Sequence, residues 1–172
     1  MAAMKSRKTN KTVLFAVEGE TDQAFLRHIR NCYIERGMNV SLTVKNAHGA
    51  GPLGIVDALK SGARGRSFDF FAGLLDSDIQ LCKESRSYFK ANGVRLFQST
   101  PAIEGTLLRL ANVRLQENVT TDECKRMLAA QFAGDSMDVR FYERHFDKAM
   151  LEANRNRLLF MDELINYLVA PS

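Results

Sequence analysis

The chain has 172 residues, 45% of them hydrophobic and 26% charged, which is enough to bury one core of ordinary composition. No apolar run approaches the roughly 20 residues of a membrane-spanning helix, and no signal-like apolar segment follows the basic start, so we expect a cytoplasmic protein without membrane contact. The net charge of +4 is compatible with nucleic-acid binding but does not establish it.

Segments typical of strands and helices alternate up to Ser99. Short apolar runs predict buried strands, and segments with helical spacing lie between them. The strands are expected at TVLFAV, NVSLTVKN, FDFFAGLL and VRLFQS, and the helices at DQAFLRHIRNCYIE, LGIVDALKSG and SRSYFKANG. After Pro101 the pattern is helical only. We therefore predict an α/β fold with a mainly parallel four-stranded sheet flanked by helices, followed by a C-terminal helical extension.

These patterns divide the chain into three segments. Residues 1–10 form a basic tail, residues 11–112 the α/β domain, and residues 113–172 a helical extension that we expect to pack on that domain. Within the extension, DVRFYERHFDKAMLEA predicts one helix. Its segment RFYERHF could stack on unpaired bases, although its aromatic residues at helical spacing are more typical of a core stripe.

Five acidic residues follow the ends of three predicted strands. Glu18 and Asp22 follow the first strand, Asp76 and Asp78 the third, and Glu104 the fourth. Active groups of an open parallel sheet gather at the carboxyl ends of its strands. We therefore expect these carboxylates to converge if the strands are neighbours.

Converging carboxylates repel one another, and a bound cation offsets that cost. Oxygen ligands of this kind suit Mg²⁺ or Mn²⁺. In an extended segment Asp76 and Asp78 would point the same way and could hold one ion or two adjacent ions. Singly, each acid also fits an ordinary turn or the first turn of a helix. Together they favour a metal site.

The acidic motifs resemble the Toprim domain, the Rossmann-like metal-binding fold shared by topoisomerases, bacterial primases and several nucleases. The resemblance rests on LFAVEGETD and LLDSD and spans about Lys11 to Leu110. Within that group the chain is most similar to the OLD-type and RloB-type nucleases of bacterial and phage defence systems, whose first motif reads EG-x-T-E/D before an apolar helix. The segment TPAIEGTLL also matches a Pro-x-x-Glu-like segment of RloB-type proteins.

This resemblance implies a nuclease that uses two divalent ions, Mg²⁺ or Mn²⁺. Its expected metal ligands are Glu18, Asp22, Asp76, Asp78 and Glu104, and its expected catalytic residues are Glu18, Asp76 and Glu104. OLD-type nucleases also use a downstream lysine, for which Lys148, Lys125 and Arg144 are the candidates here. They usually carry an ATPase domain, which these residues do not include, so we expect the chain to act either alone or with a separately encoded ATPase subunit.

Four basic residues are candidates for binding nucleic acid, namely Arg64, Arg66, His48 and Lys148. His48 lies in HGAGPLG, a glycine-rich loop that lacks the Gly-Lys-Ser/Thr ending of a P-loop. Two other function classes stay open beside the nuclease. One is an inactive Toprim-like module that binds nucleic acid or a partner ATPase subunit, and the other, which fits poorly, is a phosphoacceptor domain. A homo-oligomer is also open.

Overall fold

The computed structural model describes residues 10–172, so all of the predicted basic tail except Asn10 lies outside the described residues. The α/β prediction is confirmed. One sheet of four parallel strands has helices on both faces and is followed by a series of C-terminal helices. None of the helices in residues 10–172 combines the length and hydrophobicity that crossing a membrane requires.

The four strands occur where the sequence predicts them. They are β1 (Lys11–Val17), β2 (Val40–Asn46), β3 (Phe70–Asp76) and β4 (Arg95–Ser99). Their order in the sheet is β2-β1-β3-β4, and every neighbouring pair is parallel. The chain moves outward from β1 to β2 and then crosses to β3 on the other side of β1. The carboxyl ends of β1 and β3 therefore form a topological switch point, where open α/β sheets bind ligands.

Eight helices surround this sheet in the described residues. They are α1 (Glu20–Tyr33), α2 (Gly51–Gly62), α3 (Lys83–Ala91), α4 (Ile103–Leu110), α5 (Thr121–Gln131), α6 (Val139–His145), α7 (Lys148–Asn154) and α8 (Leu159–Val169). The single helix predicted for DVRFYERHFDKAMLEA is wrong, because α6 ends at His145. Asp147 caps a new helix there by accepting a hydrogen bond from the N–H of Met150 at 2.8 Å.

Both faces of the sheet are buried, which explains the continuous apolar runs of its strands. Val13, Phe15 and Val17 of β1 point to the face covered by α1, α4 and the C-terminal helices. Leu14 and Ala16 point to the opposite face, covered by α2 and α3. The alternation follows from the strand period of two.

The helical extension shares the first of these two cores. Phe141, Tyr142 and Phe146 are all buried there, so the prediction of a core stripe in RFYERHF is confirmed. The hydroxyl of Tyr142 donates a hydrogen bond to the carbonyl oxygen of Thr21 at 3.1 Å. The extension is thereby attached to the start of α1, beside the ends of β1 and β3.

Candidate functional site

Four of the five predicted acids meet in one cavity at the carboxyl edge of the sheet. Glu18 follows β1 directly, Asp22 lies in the first turn of α1, Asp76 ends β3, and Glu104 lies in the first turn of α4. All four line a cavity of about 450 Å³. β1 and β3 are neighbours, with Val17 paired to Leu74, so the acid-bearing ends of these strands lie side by side.

The side chain of Asp22 is buried and is held by a local hydrogen bond. The N–H of Gly19 donates to Oδ2 of Asp22 at 3.0 Å, which satisfies a free donor at the start of α1. Asp22 is only 7% exposed, and its Oδ1 has no hydrogen-bond partner within the described part of the chain. Oε2 of Glu18 is likewise buried without a partner there. Each of these oxygens can accept an interaction that the surrounding protein does not supply.

Asp76 and Glu104 are positioned by their neighbours. The buried hydroxyl of Ser99, the last residue of β4, donates to Oδ1 of Asp76 at 3.0 Å. Glu104 is 5% exposed and precedes Gly105, where a Cβ atom would lie 2.7 Å from the carbonyl oxygen of Thr100. Glycine at this position lets α4 pack tightly against the end of β4. Pro101 directly precedes Ala102, the N-cap of that helix.

Asp78 does not line the cavity. The strand ends at Asp76, and the chain then turns, with the N–H of Ile79 donating to the carbonyl oxygen of Asp76 at 3.3 Å. The hydroxyl of Thr121, at the start of α5, donates to Oδ2 of Asp78 at 3.0 Å. The expectation of an extended segment from Asp76 to Asp78 is therefore wrong, because that segment is a turn. Asp78 is still close enough that its charge adds to the larger effect of burial, which raises the pKa values of Glu18 and Asp76.

The carboxylates have raised pKa values because they are buried together. Burial, together with the smaller effect of the Asp76 charge, raises the pKa of Asp22 to about 8. Burial also raises the pKa of Asp76 to about 7 against the lowering effect of the Ser99 hydrogen bond, with contributions from Glu18 and Glu104. The pKa values of Glu18 and Glu104 are raised by burial as well. Negative charge in this cavity is therefore costly.

Among residues 10–172, the lysine that lines the cavity is Lys125, which lies on α5 in the helical extension. Its charge lowers the pKa values of Glu18 and Glu104 against the larger effect of burial. Lys148 lies elsewhere. Its Nζ is 3.5 Å from Oε1 of Glu35, beyond the end of α1, whereas the cavity is at the start of that helix.

The other residues that are predicted to bind nucleic acid lie in two separate places. His48 lines the acid cavity, and its Nδ1 is 3.4 Å from Oε1 of Glu20. Arg64 and Arg66 lie just beyond the end of α2, a helix of 12 residues that starts beside the cavity and extends about 18 Å from it. They do not hold a phosphate beside the acids, and contact with a more distant part of a nucleic acid stays a prediction.

Two contributors to the site have little signal in the sequence. Lys125 is one of three candidates for a downstream lysine, and no motif in the sequence distinguishes it from Lys148 and Arg144. Only the packing of α5 places it among the acids. Ser99 ends β4 and is paired with Asp76, a relationship that depends on the order of the strands, which is not among the sequence predictions.

The acidic side chains around the cavity are not arranged as a ready-made metal site. No three His, Cys, Asp or Glu side chains in residues 10–172 stand close enough together to form a ready-made ion site. The donor set is nevertheless all oxygen, and it includes two buried oxygens without partners, Oε2 of Glu18 and Oδ1 of Asp22. Oxygen donors of this kind are the chemical type that Mg²⁺ and Mn²⁺ prefer.

Comparison with family models and with curated proteins finds no match to this chain. The Toprim resemblance therefore rests on the acidic motifs themselves. What the structure adds is their arrangement around one cavity of an all-parallel sheet.

Proposed function

We propose that this chain is a Mg²⁺- or Mn²⁺-dependent nuclease that hydrolyses phosphodiester bonds of DNA or RNA. The supporting observation is that Glu18, Asp22, Asp76 and Glu104 share one cavity at the switch point of the sheet. Burying four carboxylates together lowers stability unless a cation or protons neutralise them. A protein that needed only a stable fold would gain nothing from this arrangement.

Divalent ions in this cavity would activate water and stabilise the leaving oxygen of the phosphodiester. Glu18, Asp22 and Asp76 would hold them, and Asp76 is already oriented by Ser99. Asp78, bound to Thr121 outside the cavity, stays a candidate ligand. These carboxylates come from the end of β1, the first turn of α1 and the end of β3, so they can fix the position of a reacting phosphate.

Two further residues have roles that follow from their places on the cavity wall. Glu104 is buried and has a raised pKa, which suits a group that accepts a proton from water near neutral pH. Lys125 would bind a phosphate oxygen and stabilise the negative charge that develops during hydrolysis. The helical extension is therefore part of the proposed active site as well as part of the core.

The experiment that tests this proposal is cleavage of labelled plasmid, single-stranded DNA and transfer RNA by the pure protein, with Mg²⁺, Mn²⁺ or EDTA. Asp76→Asn removes one cavity charge, and Asp57→Asn, on the exposed surface of α2, is the matched control. We expect metal-dependent cleavage that Asp76→Asn abolishes and Asp57→Asn retains. Cleavage by both variants would overturn the proposal.

If no substrate is cleaved, the melting temperature of the same protein with and without Mn²⁺ distinguishes two explanations. Absence of both cleavage and thermal stabilisation by Mn²⁺ would favour the inactive module that binds nucleic acid or a partner ATPase subunit. Stabilisation by Mn²⁺ without cleavage of any substrate would point to a missing partner. Such a result would direct the search to a separately encoded partner. A defence role and self-association stay predictions that this assay does not address.

A further inference from the structure

A smaller cavity of about 70 Å³ adjoins the acid cavity on the side of the helical extension. Glu104 and Lys125 line both cavities, so the two share a wall. The rest of the smaller cavity is lined mainly by apolar residues from α5, α6 and the loop between them, which include Leu128, Phe132, Gly134 and Phe141. An apolar cavity therefore lies directly beside the acids.

The aromatic ring of Phe132 is held in place at this smaller cavity. Phe132 is half-buried, and the centroid of its ring lies 5.3 Å from that of Phe146 and 5.2 Å from that of His145. Nε2 of His145 donates to the carbonyl oxygen of Ala133 at 2.9 Å, which fixes the chain directly after Phe132. Because the ring is already fixed, it loses little side-chain entropy when another flat group stacks on it.

Lys125 and Phe132 project from the same side of α5. Lys125 lies within that helix, and Phe132, seven residues later, is its C-cap. Seven residues are close to two helical turns and span about 10 Å along the helix axis. A cation that can bind a phosphate and a ring that can stack on a base therefore lie side by side, next to the carboxylates. Proteins bind single-stranded nucleic acid with this combination of groups.

The size of the smaller cavity limits what it can hold. A buried water molecule needs about 10–15 Å³, so a cavity of about 70 Å³ admits only a few such groups, comparable with the edge of one ring. A base within a duplex is paired and stacked, and its flat face is not free to contact Phe132. An unpaired base has a free face and a free edge, so it fits where a base pair does not.

We propose that the smaller cavity is a base subsite, formed by Leu128, Phe132, Gly134 and Phe141. It binds the base of an unpaired nucleotide next to the scissile phosphate, with the base stacked on Phe132 while Lys125 binds the phosphate. This inference rests on the proposed nuclease function and deepens it, because it assigns single-stranded nucleic acid as the substrate class. Every base has a face that can stack, so no strong sequence preference is expected.

Three variants test the base subsite. Phe132→Leu removes the ring but keeps an apolar side chain beside Phe146, and Phe132→Tyr keeps the ring. Phe68→Leu is the matched control, because Phe68 is also half-buried but packs in the other core, on the α2 face of the sheet. The melting temperature of each variant shows whether it is folded.

The measurement is fluorescence anisotropy of labelled single-stranded DNA and RNA in EDTA and in Mn²⁺, with a duplex of the same sequence as competitor. We expect Phe132→Leu to weaken strand binding about tenfold, as is usual when the aromatic partner of one stacked base is removed. Phe132→Tyr and Phe68→Leu should stay within about twofold of wild type. The loss should be similar in EDTA and in Mn²⁺, because the ring is uncharged, and the duplex should compete weakly.

A strand of abasic nucleotides tests the same contact from the side of the nucleic acid. Such a strand keeps its phosphates and lacks its bases. Removal of the bases should weaken binding to wild type by about tenfold more than it weakens binding to Phe132→Leu, because that variant has already lost the stacking partner. If Phe132 acted only on the fold, both proteins would lose the same factor. If Phe132→Leu does not fold, the affinities of wild type for the normal strand, the abasic strand and the duplex decide the question.

Equal strand affinities for Phe132→Leu and Phe68→Leu would overturn the base subsite even if the protein cleaves nucleic acid. A duplex that competes as well as the single strand would overturn it too, as would wild type that binds no strand with or without Mn²⁺. Strand binding that depends on Phe132 and on the bases, without any cleavage, would support the subsite while the nuclease proposal fails. The two proposals can thus fail separately.

Discussion

Ser99 and Asp76 are joined twice, once as a paired position of neighbouring strands and once through a hydrogen bond of 3.0 Å from the Ser99 hydroxyl to Oδ1 of Asp76. This hydrogen bond lowers the pKa of Asp76, whereas burial raises it more. The bond also fixes the orientation of the carboxylate. We infer that Ser99 prepares Asp76 to bind a cation.

Replacing Ser99 with alanine should therefore weaken metal binding. We expect the Mn²⁺ concentration at half-maximal thermal stabilisation to rise about tenfold, as is usual when the partner of a ligand is removed. Ser77→Ala is the control, because Ser77 lies between the two aspartates but is exposed. Equal Mn²⁺ requirements for both variants would show that the Ser99 hydroxyl does not act on the site.

Replacing Asp76 with asparagine should raise stability when metal is absent. The charge of Asp76 is repelled by Glu18 and Glu104, and Asn can still accept the hydrogen bond of Ser99. We expect a gain of about 1 kcal/mol in the free energy of unfolding in EDTA, allowing for partial exposure, and loss of the Mn²⁺-dependent rise in Tm. Thermal and urea unfolding at neutral pH measure both, with Asp57→Asn as control. A less stable Asp76→Asn protein would contradict the view that the acids repel one another.

The sheet and the position of the acids could be predicted because a strand that is buried on both faces has a continuous apolar sequence. Runs such as TVLFAV and FFAGLL have the composition of buried strands, and β-α alternation implies parallel pairing. Parallel pairing in turn places Glu18 and Asp76 at one edge. The packing of Glu104 follows from the same rule, since it comes shortly after β4.

Other features depend on contacts between segments that are distant in the chain. Asp78 is directed toward Thr121, 43 residues away in sequence, and that contact exists only because α5 packs near the end of β3. Lys125 reaches the cavity for the same reason. The break between α6 and α7 is a local feature that the Asp147 cap could have indicated, but the apolar spacing across it favours one helix.

Lys125 should be required for cleavage, whereas Lys148 should not. Lys125→Met is expected to lower the cleavage rate about a hundredfold and to strengthen Mn²⁺ binding, because a positive charge is removed from beside Glu18 and Glu104. Lys148→Met, which removes an ion pair with Glu35, should change the rate little. Single-turnover cleavage and Mn²⁺ titration separate the two effects. Weaker Mn²⁺ binding by Lys125→Met would contradict the assigned role.

A buried histidine far from the acids makes stability depend on pH. His28 is 3% exposed, and its Nε2 donates to the carbonyl oxygen of Phe146 at 2.7 Å. Burial lowers its pKa, while the Phe146 carbonyl and the charges of Glu143 and Asp147 raise it by less. Cys32, which contacts His28 at 3.5 Å, has a pKa raised by burial and stays protonated over the same range.

The contribution of His28 to stability should therefore be lost on acidification below about pH 6.5, the ordinary pKa of histidine. Asp22 and Asp76, whose pKa values are raised to about 8 and about 7, contribute in the opposite direction, because the folded chain protonates them before the unfolded chain does. In that range the unfolded chain binds a proton at residue 28 before the folded chain does, so the loss approaches about 1.4 kcal/mol per pH unit and levels off below the folded pKa. His28→Gln, which can still donate to the Phe146 carbonyl, should remove this part of the slope. His48→Gln, at an exposed position, should keep it. Urea unfolding as a function of pH provides the comparison, and parallel curves for wild type and His28→Gln would show that His28 titrates alike in both states.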